Sequence, residues 1–371
     1  MEFTSEILHK MQDKQKFNRQ FQKWYYGMSE ELKEVEPVRA NRIFNRGERI
    51  GACLDYWFWD VYHQNKLMDL QKVNRCKNNR FCPNCRNLDL SKFIHSYGYT
   101  FKNLLLQGYN PYLLTLTVPN VKGQDLRNTI DKMNDSFNRF FKLFNQPIGQ
   151  GKKGFKGRLI EFDGALKVLE ITYNEKEDTY HPHFHCMVFS NEYPQVDMQK
   201  TIKGAWSSKR QEYNYNSNLD IQIMKLWYMV YNKIRLSEKK YDEISNNWFD
   251  LFMCDFREMD EKGIYEVLKY TFKDSDVKSY KVFKILVDSL ERKRIRQGYG
   301  ILQGLKCEDV EEGEKLILDD FLEKDKKENP EQVTVPGINT LIKDYHEYRK
   351  ISRFKTCLLY TSDAADEEDS V

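Results

Sequence analysis

The residues with the clearest chemical potential lie in His181-Pro-His183-Phe-His185, which runs into the apolar stretch Cys-Met-Val-Phe. Residues two apart on a strand share a face, so His183 and His185 project to one side while Phe184 enters the core. Two imidazoles whose Cα atoms are about 7 Å apart can chelate one divalent ion when a neighbouring strand adds a third ligand. Glu170 is the candidate, being the only carboxylate in the largely apolar run Leu166 to Tyr173. A hairpin loop centred near Lys176 and Glu177 places it opposite His183. A carboxylate facing a core is costly, whereas one bound to a metal is neutralised. His181 is an alternative third ligand, though it lies roughly 13 Å along an ideal strand from His185. The competing reading is a surface histidine patch.

Glu266, Tyr270 and Lys273 recur at spacing four then three, and so share one face of a helix over Ile264 to Phe272 and just beyond. A phenol becomes a useful nucleophile when a metal polarises the phosphate and a cation stabilises phenolate, a role open to Lys273. Glu266 can deprotonate water or a hydroxyl for a second transfer. These residue types are common on helix surfaces, so the pattern draws its meaning from its company.

That company is ordered: Leu114-Thr-Leu-Thr117, then the histidine cluster, then Glu266-Val-Leu-Lys-Tyr-Thr-Phe-Lys273-Asp-Ser-Asp276. The set resembles the three motifs of rolling-circle plasmid replication initiators, within the superfamily of HUH endonucleases (two histidines flanking a hydrophobic residue). Leu169-Glu-Ile-Thr-Tyr-Asn174 and Lys293-Arg-Ile-Arg-Gln-Gly-Tyr-Gly300 look like further family segments, so the resemblance spans about Gly51 to Leu305. It implies nicking of one strand at a plasmid origin, a 5′ phosphotyrosine on Tyr270, and Mg²⁺ or Mn²⁺ held by His183 and His185. Glu266 matches a glutamate that assists the terminating cleavage. Phe272, before Lys273, stands where the pattern has a small residue. The implied partners are double-strand origin DNA, single-stranded DNA, and a host helicase and polymerase. A relaxase is disfavoured because its tyrosine usually precedes the histidines, and a transposase because it usually lacks the cysteine-bearing segment. A non-catalytic zinc-containing regulator has no need of intact His183, His185, Glu266 and Tyr270.

Cys76-x₅-Cys82-Pro-Asn-Cys85 has the thiolate spacing of a zinc knuckle, and Cys53 can close a structural Zn²⁺ site. His63 and His95 are rival fourth ligands. The basic residues Lys72, Arg75, Lys77, Arg80 and Arg86 of this segment suit phosphate backbone, or belong to a solvated loop. The same choice holds for Lys152, Lys153, Lys156 and Arg158, which alternate with glycines and Phe155 in a basic loop.

The elements that must position these groups are legible from periodicity. Pro111 to Pro119 reads as a buried strand, and Leu166–Tyr173 with Tyr180–Phe189 as a hairpin. Asp125 to Phe144 reads as an amphipathic helix carrying Ile130, Met133, Phe137, Phe140, Phe141 and Phe144 on one side. The expected fold is α+β: an antiparallel sheet of about five strands with the histidine strand central, helices on one face, and an N-terminal zinc-binding segment.

The 371 residues divide, on this reading, into a helical N-terminal arm (1–50), a zinc-binding segment and helix (51–108), a catalytic domain (109–305), an acidic C-terminal region (306–355) and a non-native or disordered tail (356–371). The net charge of +3 hides an asymmetry, because 306–371 carries −8 and the rest +11. A basic body suits a polyanionic partner. The charge-free stretch Asn103 to Val121 is broken by prolines and glycine, and the N-terminus lacks a signal-peptide h-region. A cytoplasmic protein that does not engage a membrane is therefore expected. Eight cysteines in such a chain point to metal binding rather than disulfides.

Overall fold

The computed structural model describes residues 5–145, 160–194, 196–207, 211–244, 252–259, 267, 277–304, 329–336 and 347–352. In chain order the first elements are α1 (Ser5–Leu32), α2 (Pro37–Gly51), β1 (Tyr56–Tyr62), β2 (Leu67–Val73), α3 (Pro83–Leu106) and β3 (Asn110–Thr117). There follow α4 (Gly123–Phe144), β4 (Gly164–Asn174), β5 (Thr179–Ser190), β6 (Ile202–Ser207), β7 (Glu212–Asn216), α5 (Asn218–Tyr231) and α6 (Glu238–Glu243). The last are β8 (Cys254–Glu258), α7 (Tyr280–Leu290), β9 (Arg296–Gly300), β10 (Glu331–Pro336) and β11 (Arg349–Ser352). They form two compact units, Met1–Tyr99 with Lys306–Val371, and Thr100–Leu305.

The second unit is built on a five-stranded antiparallel sheet in the order β8-β3-β5-β4-β9, with the histidine strand β5 at its centre. The hairpin register follows from a short polar turn, closed by Asp178 in the left-handed region at φ 51°. Helices α4, α5 and α7 pack together, and α4 and α5 lie on one face of the sheet. On α4 the spacing of Ile130, Met133, Phe137, Phe140 and Phe144 makes an apolar stripe, and all five are buried. Phe184 points into that layer, 5.7 Å from the Phe137 ring and 6.5 Å from that of Trp227. Each fully buried ring of this kind contributes roughly 2–3 kcal/mol relative to exposure. The helix α5 begins with a capping box between Ser217 and Asp220. One helix departs from the one-sided layering: Phe101, near the end of α3, meets Phe189 at 5.4 Å. Phe189 shares the parity of His183 and His185, so α3 reaches the opposite face.

The first unit holds a second sheet that sequence reading did not anticipate, in the order β10-β1-β2-β11. Its outer strands come from the segment expected to be an acidic C-terminal region. β10 pairs antiparallel with β1, and β11 runs parallel to β2. His63 bonds to Glu331 at 2.6 Å and to Tyr348 at 3.1 Å, and Lys66 bonds to Glu347 at 2.8 Å. The N-terminal stretch is helical as expected, and its helices α1 and α2 bury Phe21, Tyr25, Met28, Ile43 and Ile50. No helix among the described residues is long and apolar enough to cross a membrane.

Candidate metal centres

The antiparallel pairing of β4 with β5 sets Glu170 opposite His183, and that of β3 with β5 sets Thr115 opposite His185. On the face away from α4, Glu170 Oε2 lies 2.9 Å from His185 Nε2 and 3.3 Å from His183 Nε2. All three side chains are nearly buried. Three electron-rich atoms this close need positive charge between them, either imidazole protons or one cation. Ligand atoms about 2.1 Å from an octahedral ion lie about 3 Å apart at right angles, so the spacing fits a small divalent metal.

The outer partners favour that use. Nδ1–H of His183 donates to the His181 carbonyl at 3.1 Å, and Nδ1 of His185 lies 3.2 Å from Thr115 Oγ1. A donor at Nδ1 leaves the Nε2 lone pair free for a metal. When protons rather than a cation sit on the two Nε2 atoms, burial opposes ionisation of Glu170, but the hydrogen bonds from His183 and His185 outweigh it and hold the carboxyl well below the usual carboxylate range. The contact of Thr115 with His185 was not legible in the motif alone; its signal is the register that pairs residues 115 and 185.

Among the described residues, the group here that could hold a metal comprises Glu170, His183 and His185, without His181. The His181 ring instead packs beside that of His183 at 5.0 Å. Glu266, Tyr270 and Lys273 lie outside the described residues, as do Lys152, Lys153, Lys156 and Arg158.

A second group sits in the first unit, where Cys53, Cys76, Cys82 and Cys85 are all buried. Sulfur separations are 3.7 Å for Cys53–Cys85, 3.5 Å for Cys76–Cys85 and 3.6 Å for Cys53–Cys82. A disulfide would need about 2 Å. A tetrahedron with Zn–S of about 2.3 Å has edges of about 3.8 Å, close to these values. Donors surround the sulfurs: Asn18 Nδ2 and Cys85 N–H reach Cys82 Sγ at 3.3 Å and 3.5 Å, and Asn78 N–H reaches Cys76 Sγ at 3.4 Å. Such donors favour thiolate. Cys53, not His63, completes the group, while the side chain of His95 lies outside the described residues. Of the nearby basic residues, Arg86 turns inward and donates to the Arg80 carbonyl at 3.4 Å. Lys72 and Lys77 are exposed, and Arg75 and Arg80 half-buried.

Residues 67–347 match the family model described as "Replication protein". The chain is similar to "Protein rep" of Staphylococcus aureus, with 30% identity over 66% of this chain and 93% of that protein. It is also similar to "Protein rep" of a Bacillus species, with 28% identity over 77% of this chain and 90% of the relative. A third relative, "Protein rep" of Streptococcus pneumoniae serotype 2, is 27% identical over 74% of this chain and 76% of its own length. No solved structure matches.

Proposed function

The chain belongs to the replication-protein family of plasmid replication initiators, and on that premise we propose that it is a metal-dependent nickase and strand transferase acting at its plasmid's origin. The observation that carries this reading is the convergence of Glu170, His183 and His185 on one face of a central antiparallel strand. Bound there, Mg²⁺ or Mn²⁺ supplies Lewis-acid polarisation of the scissile phosphate. The protein's own part is to hold the three ligands fixed, through the β3-β5-β4 register, Thr115 and the His181 carbonyl. Tyr270 is assigned as the nucleophile on sequence grounds. Its phenolic oxygen forms the new bond to phosphorus and the P–O3′ bond breaks. The leaving 3′ oxygen takes up a proton, and the 5′ phosphate stays on the protein as a phosphotyrosine. Lys273, one turn on, stabilises the phenolate. Glu266, four residues before Tyr270, activates a water or hydroxyl in the terminating cleavage.

Within this reading the four thiolates hold structural Zn²⁺, a closed site that shapes the segment carrying Arg80. Double-strand origin DNA and the single strand it yields are the substrates, with Arg80 and the 152–158 basic loop on phosphates. A host helicase and polymerase extend the free 3′-OH in the cytoplasm. The test is incubation with supercoiled plasmid bearing the cognate origin and Mn²⁺. Relaxed circles carrying covalent protein are expected; intact supercoils would refute the proposal.

A further inference from the structure

The hairpin of β6 and β7 presents an aromatic face that the metal centre does not use. Lys203 pairs with Tyr215 and Trp206 with Tyr213, with a register shift between Lys203 and Trp206. In a regular strand, residues three apart point to opposite faces. Here Gly204 and Ala205 stand against Asn214 alone, a bulge that returns Trp206 to the face of Lys203. Gly204 permits it, because a Cβ there would come within 2.8 Å of Asn216 Nδ2 and 3.1 Å of the Asn214 carbonyl. The result places Lys203, Trp206, Tyr213 and Tyr215 on one side, with Trp206 51% and Tyr215 51% exposed. Asn216, of the other parity, is buried, so this hairpin has one inner and one outer face.

The rings are organised. Tyr213 stands edge-on to Trp206 at 4.9 Å and 71°, and Lys203 Nζ sits 3.6 Å over the Tyr213 ring. Tyr213 is thus a buttress already occupied by a cation, which leaves Trp206 and Tyr215 as the open rings. The base of the hairpin is anchored by Lys200, bonded to Asp220 at 2.6 Å, to Asp255 at 2.9 Å and to the Phe256 carbonyl at 2.9 Å. From Lys200 to Asn216 the chain carries Lys200, Lys203, Lys209 and Arg210 against a single acid, Glu212.

We infer that the outer face of the β6–β7 hairpin is a base-stacking platform for single-stranded DNA, with bases on Trp206 and Tyr215 and the Lys203 ammonium beside the phosphate chain. Exposed rings interleaved with cations are what a sequence-tolerant single-strand site requires, since every base offers a π-face and every nucleotide a charge. The inference rests on the reading that this chain handles single-stranded DNA, and it places a second contact outside the nicking centre.

The test uses the full chain and a labelled 20-nucleotide oligothymidylate with no Mg²⁺ or Mn²⁺ added, so that nicking does not contribute. Trp206→Ala and Tyr215→Ala are each expected to weaken binding roughly tenfold. Trp206→Phe keeps a ring, and should bind within about threefold of the parent while losing much of the DNA-dependent quenching of indole fluorescence. Alanine variants that bind as tightly as the parent would overturn the proposal, and so would an equal loss of affinity for a blunt duplex. The two readings fail separately. A chain that binds the oligonucleotide through these rings but never nicks removes the proposed nickase and keeps the platform. Nicking with unaltered oligonucleotide binding does the reverse.

Discussion

Lys167 lies beneath the histidine strand, on the face of β4 that looks toward α4, and is 1% exposed. Its ammonium donates to Asn134 Oδ1 at 2.6 Å and sits 4.5 Å from the Phe184 ring and 5.0 Å from that of Phe137. Burial pushes its pKa down to about 8, opposed by the nearby Cys186. Against an ordinary lysine near 10.5, that depression corresponds to about 3 kcal/mol of destabilisation by the charged form. The folded state binds fewer protons than the unfolded state between about pH 8 and pH 10.5, so stability rises with pH across this window. Below it the penalty is complete; above it the penalty is gone. Lys167→Met keeps the volume and removes the charge, but orphans the Asn134 carbonyl at a cost of about 1 kcal/mol. Attraction of the ammonium to the rings trims the gain further. The variant should therefore be about 1–2 kcal/mol more stable at pH 7 and slightly less stable than the parent at pH 10.5. Cys186 is buried and register-paired with Lys167, so its alkylation in graded urea, read by mass spectrometry, reports opening of this region. A variant less stable at pH 7, or a difference that does not change with pH, would refute the reasoning.

Thr115→Val removes the oxygen that steadies His185 and should weaken Mn²⁺ binding roughly tenfold by calorimetry, whereas His183→Ala or His185→Ala should abolish both binding and nicking. An unchanged Mn²⁺ affinity in His183→Ala would remove the metal centre. Purified protein should carry one zinc per chain, and Cys82→Ser should lose it and expose the remaining thiols to alkylation; zinc-free protein with four freely reactive thiols would end that assignment. Tyr270→Phe should eliminate nicking and the covalent adduct together, while Glu266→Ala should still form adduct but fail to release product at termination. Adduct yield at the parental level in Tyr270→Phe, measured on denaturing gels, would move the nucleophile elsewhere.

Much of the candidate metal site was legible in the chain because its parts are close in sequence. A period of two sets His183 and His185 on one face, and a four-residue turn fixes the hairpin register that brings Glu170 opposite His183. The stripe on α4 was equally plain, since helical periodicity is a property of the segment itself. The grouping of Cys53 with Cys76, Cys82 and Cys85 was an inference from spacing, and in the structure the four sulfurs lie together. What the chain alone did not specify were pairings between remote segments. β10 and β11 return more than 250 residues later to flank β1 and β2, although the region that carries them is acidic overall and gives no strand periodicity that stands out. Asn18 of α1 reaches Cys82, Thr115 reaches His185, and a bulge at Gly204 decides which way Trp206 faces. Local periodicity dictates which side chains share a face. Which faces then meet depends on burial and hydrogen bonding summed over the whole folded unit, and no single segment contains that information.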